Sequence, residues 1–356
     1  MKIIISSPSL SANQNVSGIS SVTRFIIKNN RGNEYLHFEL GKRDDENRNL
    51  FWFLRILKAY WKWGYLMSTQ KDILVHFNLA LSMPSIVRDS PLILFARLLR
   101  KRMIIHLHGG EFLMHKEAPL WLRYVLRLSL EGKYPKVVLS PVEAEALKHR
   151  FSISNAFVLE NCVELGGARG FNRTYLGNHP LSVLFMGRIT VDKGIESIFE
   201  AFKRLKEKGI EFKFIMAGKG REERVYVERF RGLLGEGFDY RGAVSGDEKA
   251  GLLKECDVFL LPSLFEGLPM ALIESMAFGL VPIVTNVGSI RRVVTSGING
   301  IIVNRDSSEE IVWAIKRLSQ DREYLAKLGR NAREYIFRNY NPEAYIAKLN
   351  EIYKYA

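Results

Sequence analysis

Short apolar runs alternate with stretches of helical periodicity along the chain. In the first half, residues 2–6, 73–77, 103–107, 136–140 and 157–160 are rich in Ile, Val, Leu and Phe, with the length and composition of buried strands. Between them, residues 20–30, 120–130 and 142–150 carry apolar positions three and four apart, which predicts helices. A second alternating set runs from residue 182 to about residue 317, and a closing helix is predicted over 342–355. Strand and helix in repeated alternation is the pattern of parallel sheets with helices on both faces, an α/β fold.

The alternation breaks at Gly166-Gly167-Ala168-Arg169-Gly170 and in the polar run up to Pro180, which reads as a linker. The expected division is a first domain over 1–178, a second over 179–340 and a closing helix over 341–356. A chain of 356 residues with 47% hydrophobic content and no long polar tract can bury a core in each domain. No internal repeat is visible.

One segment of the first half departs from this pattern. Over residues 50–67, Phe51, Trp52, Phe53, Leu54, Leu57, Tyr60, Trp61, Trp63 and Tyr65 surround a basic stripe of Arg48, Arg55, Lys58 and Lys62. Aromatics beside Lys and Arg suit a helix lying on an anionic membrane. The same residues also suit an ordinary amphipathic helix whose aromatics are core, and both readings stand. A second basic run, Arg97, Arg100, Lys101 and Arg102, follows the apolar stretch 91–95.

Charge sharpens this picture. The net charge is +14, with 25 Lys/Arg against 14 Asp/Glu in residues 1–180 and 27 against 24 in the rest. The basic excess belongs to the first domain. No helix-turn-helix, zinc-finger or RNP-type signature accompanies it, so nucleic acid is not an expected partner.

Cys162 and Cys256 stand far apart and outside any C-x-x-C pattern, which suits a reducing compartment and offers no metal site. The first apolar run is too short for a secretory signal, and no charge-free stretch approaches the about 20 residues of a spanning helix. The expected location is cytoplasmic, peripheral on the inner face of the membrane.

Candidate chemistry lies in the second half. Glu266 and Glu274, with seven residues between them, follow the strand-like run 258–262, and Pro269 fits the first turn of a helix through Phe278. Glu266 then sits in a loop at a strand's carboxyl end, where open α/β sheets bind ligands, and Glu274 lies inside the helix that follows, placed to accept ribose hydroxyls. Upstream, Met186-Gly187-Arg188 leads to Lys193-Gly194, two cations at another strand's carboxyl end that suit a diphosphate.

Gly187-Arg188…Lys193-Gly194, then Gly218-Lys219-Gly220, then Glu266 and Glu274 at their spacing, resemble the retaining family 4 glycosyltransferases (glycosyl transferases group 1) over about residues 182–340. The resemblance implies the GT-B fold: two Rossmann-like parallel-sheet domains facing a cleft, with a C-terminal helix crossing back to the first. It implies that Arg188 and Lys193 bind the donor diphosphate, that Glu274 binds the ribose and that Glu266 faces the donor sugar, with Gly267 and Leu268 offering backbone N–H groups. Val244 is matched to the base-binding edge, Gly18 to a phosphate-approaching glycine loop and His108 to a histidine beside the donor sugar. His106, on the same side of the strand, reads as a core histidine, and the Gly18 segment equally fits a plain helix entry with Ser17 as its cap. Lys219 and Ser289 depart from the family, which often has an acidic residue and a glycine there.

The implied reaction is retaining. The acceptor hydroxyl attacks on the face the nucleotide leaves, and the donor phosphate takes its proton. No D-x-D motif is present, so activity without a metal or other cofactor is expected, with a UDP- or GDP-linked sugar as donor substrate. The expected acceptor is a lipid-linked or surface-polysaccharide glycan of the lipopolysaccharide or capsule type. The alternatives are a soluble transferase acting on a small sugar or storage glucan, and a nucleotide-sugar epimerase.

Overall fold

The computed structural model describes residues 1–11, 14–15, 17–43, 46, 49–109, 111–114, 117–175 and 179–356. Arg48, Val16, Gly110 and the Glu111 side chain lie outside the description.

The chain forms two compact units, 1–161 with 342–356, and 162–341. In chain order the first contains β1 (Lys2–Ser7), α1 (Gly18–Asn29), β2 (Glu34–Glu39), α2 (Leu50–Thr69), β3 (Ile73–Leu79), α3 (Met83–Leu98), β4 (Arg102–Leu107), α4 (Glu111–Met114), α5 (Leu120–Leu130), β5 (Lys136–Val138), α6 (Pro141–Phe151) and β6 (Ala156–Val158). The second contains α7 (Gly166–Arg169), β7 (Leu181–Met186), α8 (Ile195–Glu207), β8 (Phe212–Ala217), α9 (Glu223–Leu234), β9 (Phe238–Gly242), α10 (Gly246–Glu255), β10 (Val258–Leu261), α11 (Met270–Ala277), β11 (Val281–Thr285), α12 (Ile290–Val293), β12 (Ile301–Val303), α13 (Ser308–Gln320) and α14 (Arg322–Asn339). The closing helix α15 (Pro342–Lys354) returns to the first unit.

Each unit is built on a six-stranded parallel sheet, in the order β2-β1-β3-β4-β5-β6 and β12-β11-β10-β7-β8-β9. Strand order reverses once in each, between β1 and β3 and between β7 and β10. Every residue of β3 is buried, as a central strand covered on both faces requires. The five strands expected in this unit are present. The sixth, β2, has the sequence EYLHFE and lies at the sheet edge, where charged positions face water and no apolar run marks it.

The 166–170 glycine run, read above as a linker, begins as the helical turn α7 within the second unit. Nearby, Arg173 Nε donates to the Phe278 carbonyl at 2.9 Å and the Tyr175 hydroxyl to the Gly279 carbonyl at 2.9 Å.

The segment 50–67 forms one helix with part of its aromatic residues in the core and part exposed. Ile56, Trp63 and Met67 are core, with Trp63 edge-on to Phe38 and Phe77 and its indole N–H on the Leu92 carbonyl at 3.0 Å. Phe51, Phe53, Leu54, Leu57, Trp61 and Tyr65 are exposed, Trp61 at 82%. Arg55 pairs with Glu46 at 2.6 Å, while Lys58 and Lys62 face water.

Helix α15 is seated through polar contacts in the core. The Tyr353 hydroxyl lies 2.7 Å from His76 Nδ1, and the Asn350 side-chain oxygen accepts from Asn30 at 2.8 Å and Asn33 at 3.0 Å. Phe25 of α1 meets Tyr345 edge-on.

Candidate active site

Residues after β7 and β10 meet at the carboxyl edge of the second sheet, on the two strands that flank its reversal of order, where open α/β sheets bind ligands. After β7 the chain turns through Gly187 and Arg188 into a single 3₁₀ turn, Val191–Lys193. Gly194 ends that turn at φ +72°, and a Cβ there would stand 2.2 Å from the Pro262 carbonyl oxygen, so only glycine lets the two loops approach this closely. The Leu264 N–H donates to the Asp192 carbonyl at 2.8 Å and joins them.

This closeness brings Lys193 Nζ within 2.6 Å of Glu266 Oε1, an oxygen that also accepts from Ser263 Oγ at 2.9 Å. Both partners are mostly buried, with side chains 19% and 12% exposed, and the carboxylate is held by two donors. Arg188 is exposed and forms no ion pair among the described residues. The carboxyl edge therefore carries a held carboxylate and a paired lysine, and the loop that leads to that lysine bears the exposed Arg188.

The loop that bears Glu266 is fixed from the other side by Gly288, at φ +54°, where a Cβ would lie 1.9 Å from the Glu266 carbonyl oxygen. Ser289 N–H donates to the Gly267 carbonyl at 2.9 Å. Helix α11 starts later than the spacing suggested. Pro269, with ψ 125°, is its extended cap, so Leu268 stands before the first turn and is buried. Glu274 lies inside α11 as expected, and its Oε1 is 2.6 Å from Lys249 Nζ of α10. Val244, in the loop between β9 and α10, is partly exposed.

In the first unit, Ser17 caps α1 by accepting from the Ser20 N–H at 3.3 Å, and Gly18 is the first residue of that helix. A Cβ at Gly18 would meet nothing within 4 Å. His108 follows β4, with Nε2 2.6 Å from Asn78 Oδ1. His106 is fully buried and its Nδ1 is 3.2 Å from His76 Nε2, but its Nε2 has no hydrogen-bond partner, so it is a core histidine satisfied on one side only.

Lys249, Ser263 and Asn78 did not emerge from the sequence. A lysine early in a helix, a serine after a strand and an asparagine in an apolar run carry no local signal, and only tertiary contact brings each to its partner.

Residues 173–335 match the model of the family described as glycosyl transferases group 1. The matched stretch lies within the second unit. An uncharacterized glycosyltransferase of Methanocaldococcus jannaschii is 30% identical over 176 residues, which are 49% of this chain and 45% of that protein. A GDP-mannose:cellobiosyl-diphosphopolyprenol alpha-mannosyltransferase of Komagataeibacter xylinus is 27% identical over 219 residues, 58% of this chain and 53% of its own. The matched stretches thus span about half the length of these relatives. Among solved structures, HepE of Anabaena in complex with UDP-glucose superposes with a TM-score of 0.75 at 16% identity, covering 99% of this chain and 98% of that one. The fold is that of the GT-B glycosyltransferases.

Proposed function

We propose that the protein is a retaining glycosyltransferase that moves a sugar from a nucleoside-diphosphate donor to a lipid-linked or surface-polysaccharide acceptor. The observation that carries this reading is the Lys193–Glu266 pair at the strand-order reversal, with exposed Arg188 in the loop that leads to Lys193. On this reading Arg188 and Lys193 take the diphosphate and stabilise the charge that develops as the bond from the anomeric carbon to the phosphate oxygen breaks. The acceptor oxygen forms the new bond on the same face, and its proton passes to the leaving phosphate. Lys193 then exchanges part of its hold on Glu266 for phosphate oxygens, which frees that carboxylate for the sugar. Glu274 accepts from the ribose, Val244 lies against the base, Gly267 and Leu268 contribute backbone groups, and Gly18 and His108 serve the phosphates and the sugar. The reaction is proposed to need no bound metal.

The polyprenol-linked substrate in the name of the Komagataeibacter relative supports the lipid-linked acceptor. The exposed Phe51, Trp61 and Tyr65, beside Lys58 and Lys62, support a site on an anionic membrane, at about 1 kcal/mol for each basic residue near the surface. Exposed Leu120, Trp121 and Tyr124 of α5, which packs on α3, extend the apolar aromatic set. No helix among the described residues is long and apolar enough to cross a membrane, so contact at the cytoplasmic face would be peripheral.

Calorimetric titration with UDP, GDP, ADP and their common sugar conjugates tests the donor site. One nucleotide should bind selectively in EDTA, and Glu274→Ala should weaken it at least about tenfold, or 1.4 kcal/mol. Absence of any binding, or binding untouched by Glu274→Ala, overturns the assignment. With an acceptor in hand, the anomeric configuration of the product by NMR decides between retention and inversion.

A further inference from the structure

His108 is held differently from the two histidines near it. His76 and His106 are fully buried and bonded to one another, and His76 is also bonded to Tyr353 of α15. His108 is partly exposed, its ring centroid lies 4.2 Å from that of His106, and its Nε2 is 2.6 Å from Asn78 Oδ1. Asn78 is buried near the end of β3, one of the two strands that flank the reversal of order in the first sheet.

The orientation of the Asn78 amide is fixed by its other contacts. Its Nδ2 donates to the Ser6 carbonyl at 2.6 Å and to Thr23 Oγ1 at 3.3 Å, and its backbone N–H donates to Ser6 Oγ at 3.1 Å. A flipped amide would set its oxygen against the Ser6 carbonyl oxygen at that same 2.6 Å, two acceptors with no proton between them. Oδ1 therefore faces His108. Because Oδ1 only accepts, His108 must donate, and the proton sits on Nε2. Burial pushes the His108 pKa well below the ordinary imidazole value, so the ring is neutral near pH 7 and its Nδ1 carries a lone pair.

We propose that Asn78 is a positioning residue that locks His108 in the Nε2–H tautomer, so that Nδ1 is presented as a hydrogen-bond acceptor to a hydroxyl of the donor sugar. The sugar contact rests on the donor-site reading above, whereas the tautomer follows from Ser6, Asn78 and His108 alone. An acceptor at this position selects for a sugar that can donate. Replacing the contacted hydroxyl by fluorine keeps size and polarity but removes the proton, and a histidine of the opposite tautomer would not register that loss in the same way.

Two measurements test the two halves. Nitrogen-15 NMR of the imidazoles, with His108 assigned by its disappearance in His108→Gln, should show a pyrrole-type Nε2 and a pyridine-type Nδ1 from pH 6 to 8. Asn78→Leu should move the His108 signals toward averaged tautomers. The opposite tautomer in the unaltered protein overturns the proposal even if that variant does not fold. The second measurement uses deoxyfluoro glucose and mannose conjugates of whichever nucleotide binds in the titration above. The unaltered protein should bind one of them about tenfold more weakly than its parent sugar, and Asn78→Leu should lose most of that discrimination while binding the free nucleotide normally. No fluorosugar penalty, with free nucleotide still binding, overturns the sugar contact and spares the donor site. Loss of nucleotide binding altogether would instead count against the proposed function.

Discussion

Lys193, Glu266 and Ser263 show how little of a site has to be contiguous. The carboxylate oxygen that joins all three belongs to a loop whose path is set by two glycines, Gly194 and Gly288, each facing a backbone oxygen from another loop. Gly288→Ala puts a Cβ where the Glu266 carbonyl already stands, at a φ that alanine adopts with strain. The expected cost is about 1–3 kcal/mol, with a loss of kcat/KM larger than the change in thermal midpoint, because the displaced residue is Glu266. Thermal melts and initial rates on the same preparation check this. Lys193→Ala, by contrast, leaves Glu266 with Ser263 as its remaining donor and should lower turnover sharply with little change in stability. That Arg188 and Lys193 follow one strand, that Glu266 follows another and that Glu274 lies in a helix was legible in the local pattern. Lys249 and Asn78 were not, since each acts on a residue 25 or 30 positions away through space.

Helix α2 is the element on which periodicity alone could not decide. Twelve aromatic, leucine or isoleucine residues and three cations surround its axis, and both a buried and a lipid-facing helix fit them. The structure divides the helix by face, Trp63 inside and Trp61 outside. The two tryptophans should therefore respond oppositely. Trp63→Ala removes a buried ring packed on Phe38 and Phe77 and is expected to cost about 3–5 kcal/mol in urea denaturation. Trp61→Ala should leave stability within about 0.5 kcal/mol and weaken flotation with phosphatidylglycerol vesicles. If Trp61→Ala floats as well as the unaltered protein, the lipid-facing role of this helix fails. Strand β2 was missed for a related reason: an edge strand is half solvated, and its charged residues conceal the extended run.

Across the full chain, the closing helix makes the stability of the first unit depend on residues that come after the second. Deleting 342–356 uncovers His76 and removes the Tyr353 and Asn350 contacts. Calorimetry of the truncated protein should show one transition lowered and the other near its original temperature. The same core predicts acid sensitivity. Burial, together with the charge His108 would carry, pushes His76 down to about 3, against about 6.5 when unfolded. Between those values the unfolded chain binds a proton that the folded one refuses. Stability is then full above pH 6.5 and falls as pH drops, by at most about 1.4 kcal/mol per unit for this residue. Urea midpoints from pH 7.5 to 5 measure the slope, which His76→Phe should reduce if that variant folds.

Local pattern was enough to place the parallel α/β architecture, most strands and helices, and the cation and carboxylate motifs at strand ends, because strand and helix periods and glycine turns are properties of neighbouring residues. Which strands lie side by side, which face of α2 is buried, and which lysine meets which glutamate depend on chain segments far apart in sequence. Those were decided only when packing brought β7 beside β10 and α15 onto the first sheet.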